Sequence, residues 1–500
     1  MSILALPAEL LEKIVVEAAY GNYQAIRLTC RVLCDVATPF VFESLHINLR
    51  GRQLARFVRV IHFQSFMMHN KPNLTRLWGA ISLFKKEPTF HRTVCNLLLA
   101  AVPLMQSLER FHWAMYDRVS VDWAMLRDVV YCISTLPRIR SVSISAGKIK
   151  RSIPCAPFHH LTSLHVRGCG TIDWAPSIIA NSPNLFELKI SAFRYDHPSP
   201  SHFPVLSLFG AFPEGVQSSL YIIRLSGNYF SLNPSTVPAL IPHLRNLSDF
   251  DVPIGFEIPD EFWMSLLADM IYIPCVSCSG EGLGDSLLTY LGSYQGLQEI
   301  TLWPGEPNAD DEHRSLFLVH HILPINWTSL TRVIINPGYA GHWCLDAPMH
   351  HSLALCTNLE YIDVCIDEER AQVTGSDNII VKLMKSLKWW PFLRTLKIEA
   401  VVNIEAGKYV HQHEPPRRDV CARVHKLVTA CRYKDPSPQM LDLRIYTDLV
   451  YCLQLRHSSL PSEGYSFFSD HLSYSGERVL KTKATKARRE PPEFSEEYDS

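Results

Sequence analysis

Leu359-Glu360-Tyr361-Ile362-Asp363-Val364 sets aliphatic side chains at its first, fourth and sixth positions. The last two stand two apart, the spacing at which an extended chain returns to the same face. The pattern recurs along the chain as Leu108-x-x-Phe111-x-Trp113, Ile139-x-x-Val142-x-Ile144 and Leu161-x-x-Leu164-x-Val166. Next come Leu185-x-x-Leu188-x-Ile190, Leu220-x-x-Ile223-x-Leu225 and Leu247-x-x-Phe250-x-Val252. Ile273-x-x-Val276-x-Cys278, Leu297-x-x-Ile300-x-Leu302, Leu330-x-x-Val333-x-Ile335 and Leu393-x-x-Leu396-x-Ile398 complete the series of eleven. Successive central residues lie between 22 and 35 positions apart. A single strand with its return segment cannot bury its own apolar side, so such units must stack and share one core.

The returns read as helices or loops. Asp173 to Asn181 and Glu261 to Asp269 carry helical patterning, and short turns such as Pro183-Asn-Leu185, Pro242-His-Leu244 and Thr357-Asn-Leu359 stand near strand starts. The series resembles degenerate leucine-rich repeats, although most units lack the asparagine of the strict consensus. An ordinary α/β domain with short parallel strands is the competing reading, and eleven matches in series favour the array. The expected fold is α/β: an N-terminal helical module followed by an irregular repeat solenoid with a parallel, concave sheet.

Residues flanking the inward pair of each unit alternate onto the other face of the sheet. They include Arg110 and His112, His165 and Arg167, Glu187 and Lys189, and Arg224. Asp249 and Asp251, Glu299 and Trp303, Arg332, Tyr361 and Asp363, and Lys397 and Glu399 follow. Early units are mostly basic and middle ones acidic, while Trp303 and Tyr361 are residue types that anchor interfaces. A protein ligand is expected across this face, with an acidic part toward the early units.

At the amino-terminal end, Leu6, Leu10 and Ile14 stand four apart, so a helix opened by Pro7 gathers them on one side. Glu9 and Lys13 suit its dipole and an i,i+4 pair. A second short helix is expected from Gln24 to Leu33. The order Leu6-Pro7-x-Glu9-Leu10-Leu11-x-x-Ile14, then Cys30-Arg31 and Leu33, resembles the F-box, as does the exit Pro39-x-x-Phe42-x-x-Leu45-x-Ile47. Ala18 stands where that family has a larger apolar residue. The resemblance implies docking onto the Skp adaptor, and through it a cullin scaffold, by Leu6, Pro7, Leu10, Leu11, Ile14, Cys30, Arg31 and Leu33. It implies a non-catalytic receptor that brings a target to a ubiquitin ligase.

The remaining signals bound this reading. A net charge of −1 gives no global attraction to nucleic acid or anionic membrane. No apolar run is long enough for a membrane helix, and no basic region precedes the first apolar segment. Fourteen cysteines scattered singly suit a reduced, cytoplasmic or nuclear setting, which makes the sequons at Asn73, Asn246 and Asn326 chance matches. The organisation expected is a module over 1–48, a connecting segment over 49–105 with a strand at Val58 to Phe63, an array with its cap over 106–456, and a polar, loose tail over 457–500. The cap includes a helix at Val420 to Cys431 and a last strand at Met440 to Ile445. The tail holds a basic run, Lys481 to Arg489, and then Glu490, Glu493, Glu496, Glu497 and Asp499. Nuclear import is one reading of the run, and an ordinary solvated tail the other.

Signs of chemistry are few. Cys275-Val-Ser-Cys278 has no second knuckle for zinc, and Cys278 occupies an inward position. Gly280-Glu-Gly282-Leu-Gly284 lacks the lysine of a P-loop and the spacing of a dinucleotide fingerprint, so a loop after a strand explains it better. His pairs at 159–160, 320–321 and 350–351 have no partners at metal-ligand spacing, and no G-x-S-x-G or H-E-x-x-H occurs. No catalytic residue, cofactor or metal is expected.

Overall fold

A computed structural model describes residues 44–45, 60–64, 96, 99–115, 123–146, 158–168, 172–192, 202–212, 215–252, 257–280, 283–305, 307–401, 414–431, 442–446, 449–457 and 465–474. The first strands are β1 (Ser44–Leu45), β2 (Val60–Gln64), β3 (Arg110–Met115), β4 (Ser141–Ala146), β5 (Ser163–Arg167) and β6 (Glu187–Ser191). Next are β7 (Phe203–Pro204), β8 (Ile222–Ser226), β9 (Phe230–Ser231), β10 (Asp249–Val252), β11 (Cys275–Ser279) and β12 (Glu299–Trp303). The last are β13 (Arg332–Ile335), β14 (Tyr361–Ile366), β15 (Thr395–Ala400), β16 (Asp442–Tyr446), β17 (Leu449–His457) and β18 (Tyr465–Tyr474). β7 and β9 pair with each other. All the others lie side by side in chain order in one sheet. Pairing is parallel from β1 to β16, and only β17 and β18 return antiparallel.

The register turns the sequence pattern into two continuous rows. Phe111 lies beside Val142, Val142 beside Leu164, and Leu164 beside Leu188, and the same column runs on to Ile362 and Leu396. Every apolar residue at the first, fourth and sixth positions of the eleven units is buried. Return segments cover this side. They include helices Trp123–Ser134, Ala175–Asn181, Asp260–Ala268, Asp285–Leu291, Asp311–Phe317, Ala347–Leu355, Ile379–Ser386 and Glu414–Ala430. Local caps set where several begin. Asp346 accepts from the Met349 amide, and Asn378 accepts from those of Ile380 and Val381.

Backbone pairing also begins one residue ahead of the strands. The amide of Phe186 donates to the Thr162 carbonyl, Tyr221 to Phe186, Ser248 to Tyr221, and Arg394 to Glu360. Between two units, buried Asn326 accepts from the amides of Gly296 and Leu297, both at 3.0 Å, and donates to the Ile322 carbonyl. That placement explains its position in a sequon: the side chain is interior structure. Tyr290 joins strand to return in the same way, accepting from the Ile273 amide and donating to the Ile271 carbonyl.

The sheet extends beyond both ends expected of the array. β1 and β2 pair ahead of β3, with Leu45 beside Ile61 and Ile61 beside Phe111. The last strand expected at Met440 to Ile445 is β16, which pairs with β15, Leu443 beside Leu396 and Ile445 beside Ile398; the sheet passes the expected end at 456 with β17 and β18. The stretch after 457 is not uniformly loose: β18 forms a ten-residue strand against β17. The F-box-like residues Leu6, Pro7, Leu10, Leu11, Ile14, Cys30, Arg31 and Leu33, and the charged run after 480, lie outside the described residues.

Candidate interaction surface

On the face opposite the helices, sheet register sorts the predicted residues into rows. The row between the buried positions runs His112, Ser143, His165, Lys189, Arg224, Asp251, Ser277, Thr301, Ile334, Asp363 and Lys397, each beside the next. One step toward the strand starts, Arg110, Ser163, Glu187, Asp249, Cys275, Glu299, Arg332 and Tyr361 occupy the parallel row. Arg167 and Trp303 stand toward the strand ends.

Three clusters result. In the first, Ser143 Oγ lies 2.8 Å from His112 Nδ1 and 3.3 Å from His165 Nδ1, with Arg110 and Arg167 exposed on the same strands. Burial holds His165 below the usual histidine range, and the cation of Lys189 adds to this. In the second, Lys189 meets Glu187 at 2.6 Å, and Arg224 meets Asp249 at 2.5 Å and Asp251 at 3.9 Å. Burial pushes the Glu187 carboxyl upward, but hydrogen bonds from Lys189 and Ser163 outweigh it and leave the group low. Asp251 is pushed up by burial. In the third, the Arg332 guanidinium sits 4.3 Å from the centre of the Tyr361 ring, and Lys397 Nζ lies 5.3 Å from it. Lys397 also reaches Asp363 at 3.6 Å, and Asn336 donates to Glu399 at 2.7 Å. Ser277, Thr301 and Ile334 form an uncharged stretch between the second and third clusters.

Two features depart from the sequence expectation. The basic early units are not a free cationic strip, because Lys189 and Arg224 are engaged by carboxylates of the sheet itself. Asp363 is not a solvent-facing acid: it is 5% exposed. Burial, and next the charge of Glu399, raise its pKa to about 6. Trp303 and Tyr361 are half-buried, whereas several exposed aromatics stand ahead of the strands. Phe186 and Tyr221 stack there with ring centres 4.8 Å apart, and Trp327, Trp389 and Phe392 follow along the same edge. Sequence reading missed this row because its residues occupy variable positions of the pattern or lie just ahead of it.

The other candidates resolve plainly. Cys278 is buried in the core, and Cys275 stands on the opposite face with its thiol pushed up to about 12 by burial and then by Glu299. Both are free thiols, and burial raises the pKa of Cys278 as well. Among the described residues, no group of three His, Cys, Asp or Glu side chains is arranged to hold a metal ion. Gly280 and Gly284 flank the loop after β11 and line a cleft of about 1250 Å³ beyond the strand ends, together with Pro304, Asn308 and Trp343. No helix among the described residues is long and apolar enough to cross a membrane.

No family model matches this chain, and no curated protein matches it. Among solved structures, it is similar to the leucine-rich repeat-containing protein LegL7 from Legionella pneumophila. That likeness covers 64% of this chain and 91% of the other, at 13% sequence identity and a TM-score of 0.28. At that score the likeness carries no argument, and the repeat architecture rests on strand register and burial.

Proposed function

We infer that this chain is a non-catalytic recognition subunit of a Skp–cullin–F-box ubiquitin ligase. On this reading the amino-terminal F-box-like segment docks the Skp adaptor, and the open face of the array holds a target protein. The observation that supports it best is the extent of that face. Charged and aromatic groups are spread over β3 to β15 in unbroken register, a width of about 50 Å at strand spacing. That suits a protein surface better than a small molecule. Holding a target beside the ubiquitin-carrying partner accelerates transfer by raising its effective concentration.

A second reading is favoured by one observation: Ser44–Leu45, at the exit of the F-box-like segment, pairs directly into the sheet. On that reading the first helices cap the array, and the chain is a scaffold acting outside a ligase. Capture of purified Skp adaptor by the intact chain separates the two. Binding abolished by Leu10→Asp with Ile14→Asp, in a chain whose thermal unfolding is unchanged, supports the ligase receptor. Failure of the intact chain to capture the adaptor rejects that reading and leaves the scaffold.

A further inference from the structure

The edge of the sheet at the strand starts carries a feature that the core does not require. Trp327, Leu355 and Trp389 precede β13, β14 and β15, three neighbouring strands, and are 48%, 44% and 46% exposed. With Pro324, His351 and Ala354 they line a groove of about 750 Å³. The contrast with Trp390 is direct: the next residue in the chain is fully buried and donates its indole N–H to the Leu353 carbonyl at 3.0 Å. Exposing large apolar groups at matching places in three successive units adds nothing to folding, and such patches mark contact sites.

Charge narrows the occupant. No carboxylate lines the groove. Lys388 holds its ammonium 5.5 Å from the Trp389 ring centre, and Lys385 is exposed one turn earlier. Glu360, the acid just ahead of β14, is engaged by Arg394 at 3.6 Å. The groove therefore suits an acidic segment with aromatic anchors. Residues 490–500, which lie outside the described residues, have that composition: Glu490-Pro-Pro-Glu493-Phe494-Ser-Glu496-Glu497-Tyr498-Asp499-Ser500. Phe494 and Tyr498 stand four apart, so one helical turn brings both rings to one side.

We propose that residues 490–500 of the chain dock in this groove. Phe494 and Tyr498 enter among Trp327, Leu355 and Trp389, and the carboxylates face Lys385 and Lys388. The reach is sufficient. β18 lies four places from β14 in the sheet, about 19 Å at strand spacing, and its own length adds about 33 Å along the strands. The stretch from Tyr474 to Phe494 spans up to about 65 Å when extended. Docking masks an apolar edge that would otherwise be open to other chains, and it is independent of what the open face or the amino-terminal segment binds.

The test uses the full chain and a fluorescent peptide of residues 490–500. With Phe494→Ala and Tyr498→Ala the tail no longer competes, and the peptide binds. The unaltered chain, whose own tail acts at high effective concentration, takes the peptide at least about tenfold more weakly. Adding Trp327→Ala and Trp389→Ala to the tail variant weakens binding by at least about tenfold, as loss of aromatic anchors does. Adding Lys385→Glu and Lys388→Glu instead, both at the surface, weakens it in the same direction and serves as the control should the tryptophan variant misfold. Absence of binding to the tail variant overturns the proposal, as does binding unaffected by the lysine changes. Equal binding to the unaltered chain also overturns it, since the groove is then open to a segment of another protein.

Discussion

Replacing Asn326 with Leu, close in size and shape, isolates the polar bridge between neighbouring units. The side chain is fully buried and makes three hydrogen bonds, accepting from Gly296 and Leu297 and donating to Ile322. Leucine fills the space but leaves these groups without a partner. The Gly296 amide is partly accessible and can turn to water, so the cost falls on the Leu297 amide and the Ile322 carbonyl. At about 1–3 kcal/mol for each buried group left unpaired, the expected loss is about 2–6 kcal/mol. Urea unfolding followed by far-ultraviolet circular dichroism measures it, with Asn184→Ala as the exposed comparison, expected within about 0.5 kcal/mol of the parent. In a stacked array the loss concentrates at one interface between units, so hydrogen exchange should quicken first in β12 and β13. An Asn326→Leu protein within about 1 kcal/mol of the parent would refute the assignment of this side chain as the tie between units.

Four further outcomes follow from the same geometry. Arg167→Glu, on an exposed side chain with no ion pair among the described residues, should weaken an acidic target at least about fivefold in a titration without altering the unfolding midpoint. Lys189→Glu and Arg224→Glu should lower the midpoint as well, because they break pairs within the sheet. Asp363 has a folded pKa of about 6 against an ordinary value of 3.8, so the folded state holds its proton more tightly. Its contribution is most favourable below pH 4 and is lost as pH rises through 6. Asp363→Asn should therefore stabilise the chain by about 1–3 kcal/mol at pH 7.5, with the gain vanishing near pH 4; a constant difference across unfolding curves at the two pH values contradicts this. Gly227 has φ +106°, and an added Cβ would lie 1.8 Å from the Ala192 carbonyl oxygen. Gly227→Ala should cost at least about 2 kcal/mol in urea unfolding, from strain and displaced backbone together.

Much of the fold was legible because its rule is local. A strand alternates faces every residue, so apolar residues two apart declare a buried side, and a third one ahead of them marks the strand start. That is why all eleven units lie in one register with their apolar positions inside. The ends were harder. The strand expected at Val58 to Phe63 is β2, but it was read as part of a connecting segment outside the array; Phe42-x-x-Leu45-x-Ile47 carries the same spacing and was read as the exit of the F-box-like segment. β18 is strand by pairing with β17, and in sequence it reads as polar chain.

The sequence by itself determined the repeating strand, the direction of each side chain at it, and the identity of the residues on the open face. Only the tertiary structure decided what those residues do to one another. Whether Arg224 is free or bound depends on Asp249, and the charge state of Asp363 depends on Lys397 and Glu399. Each is a neighbour across strands, brought close by stacking and separated along the chain by about thirty residues. Charge and burial are properties of that neighbourhood, and a spacing rule along one strand contains no information about it.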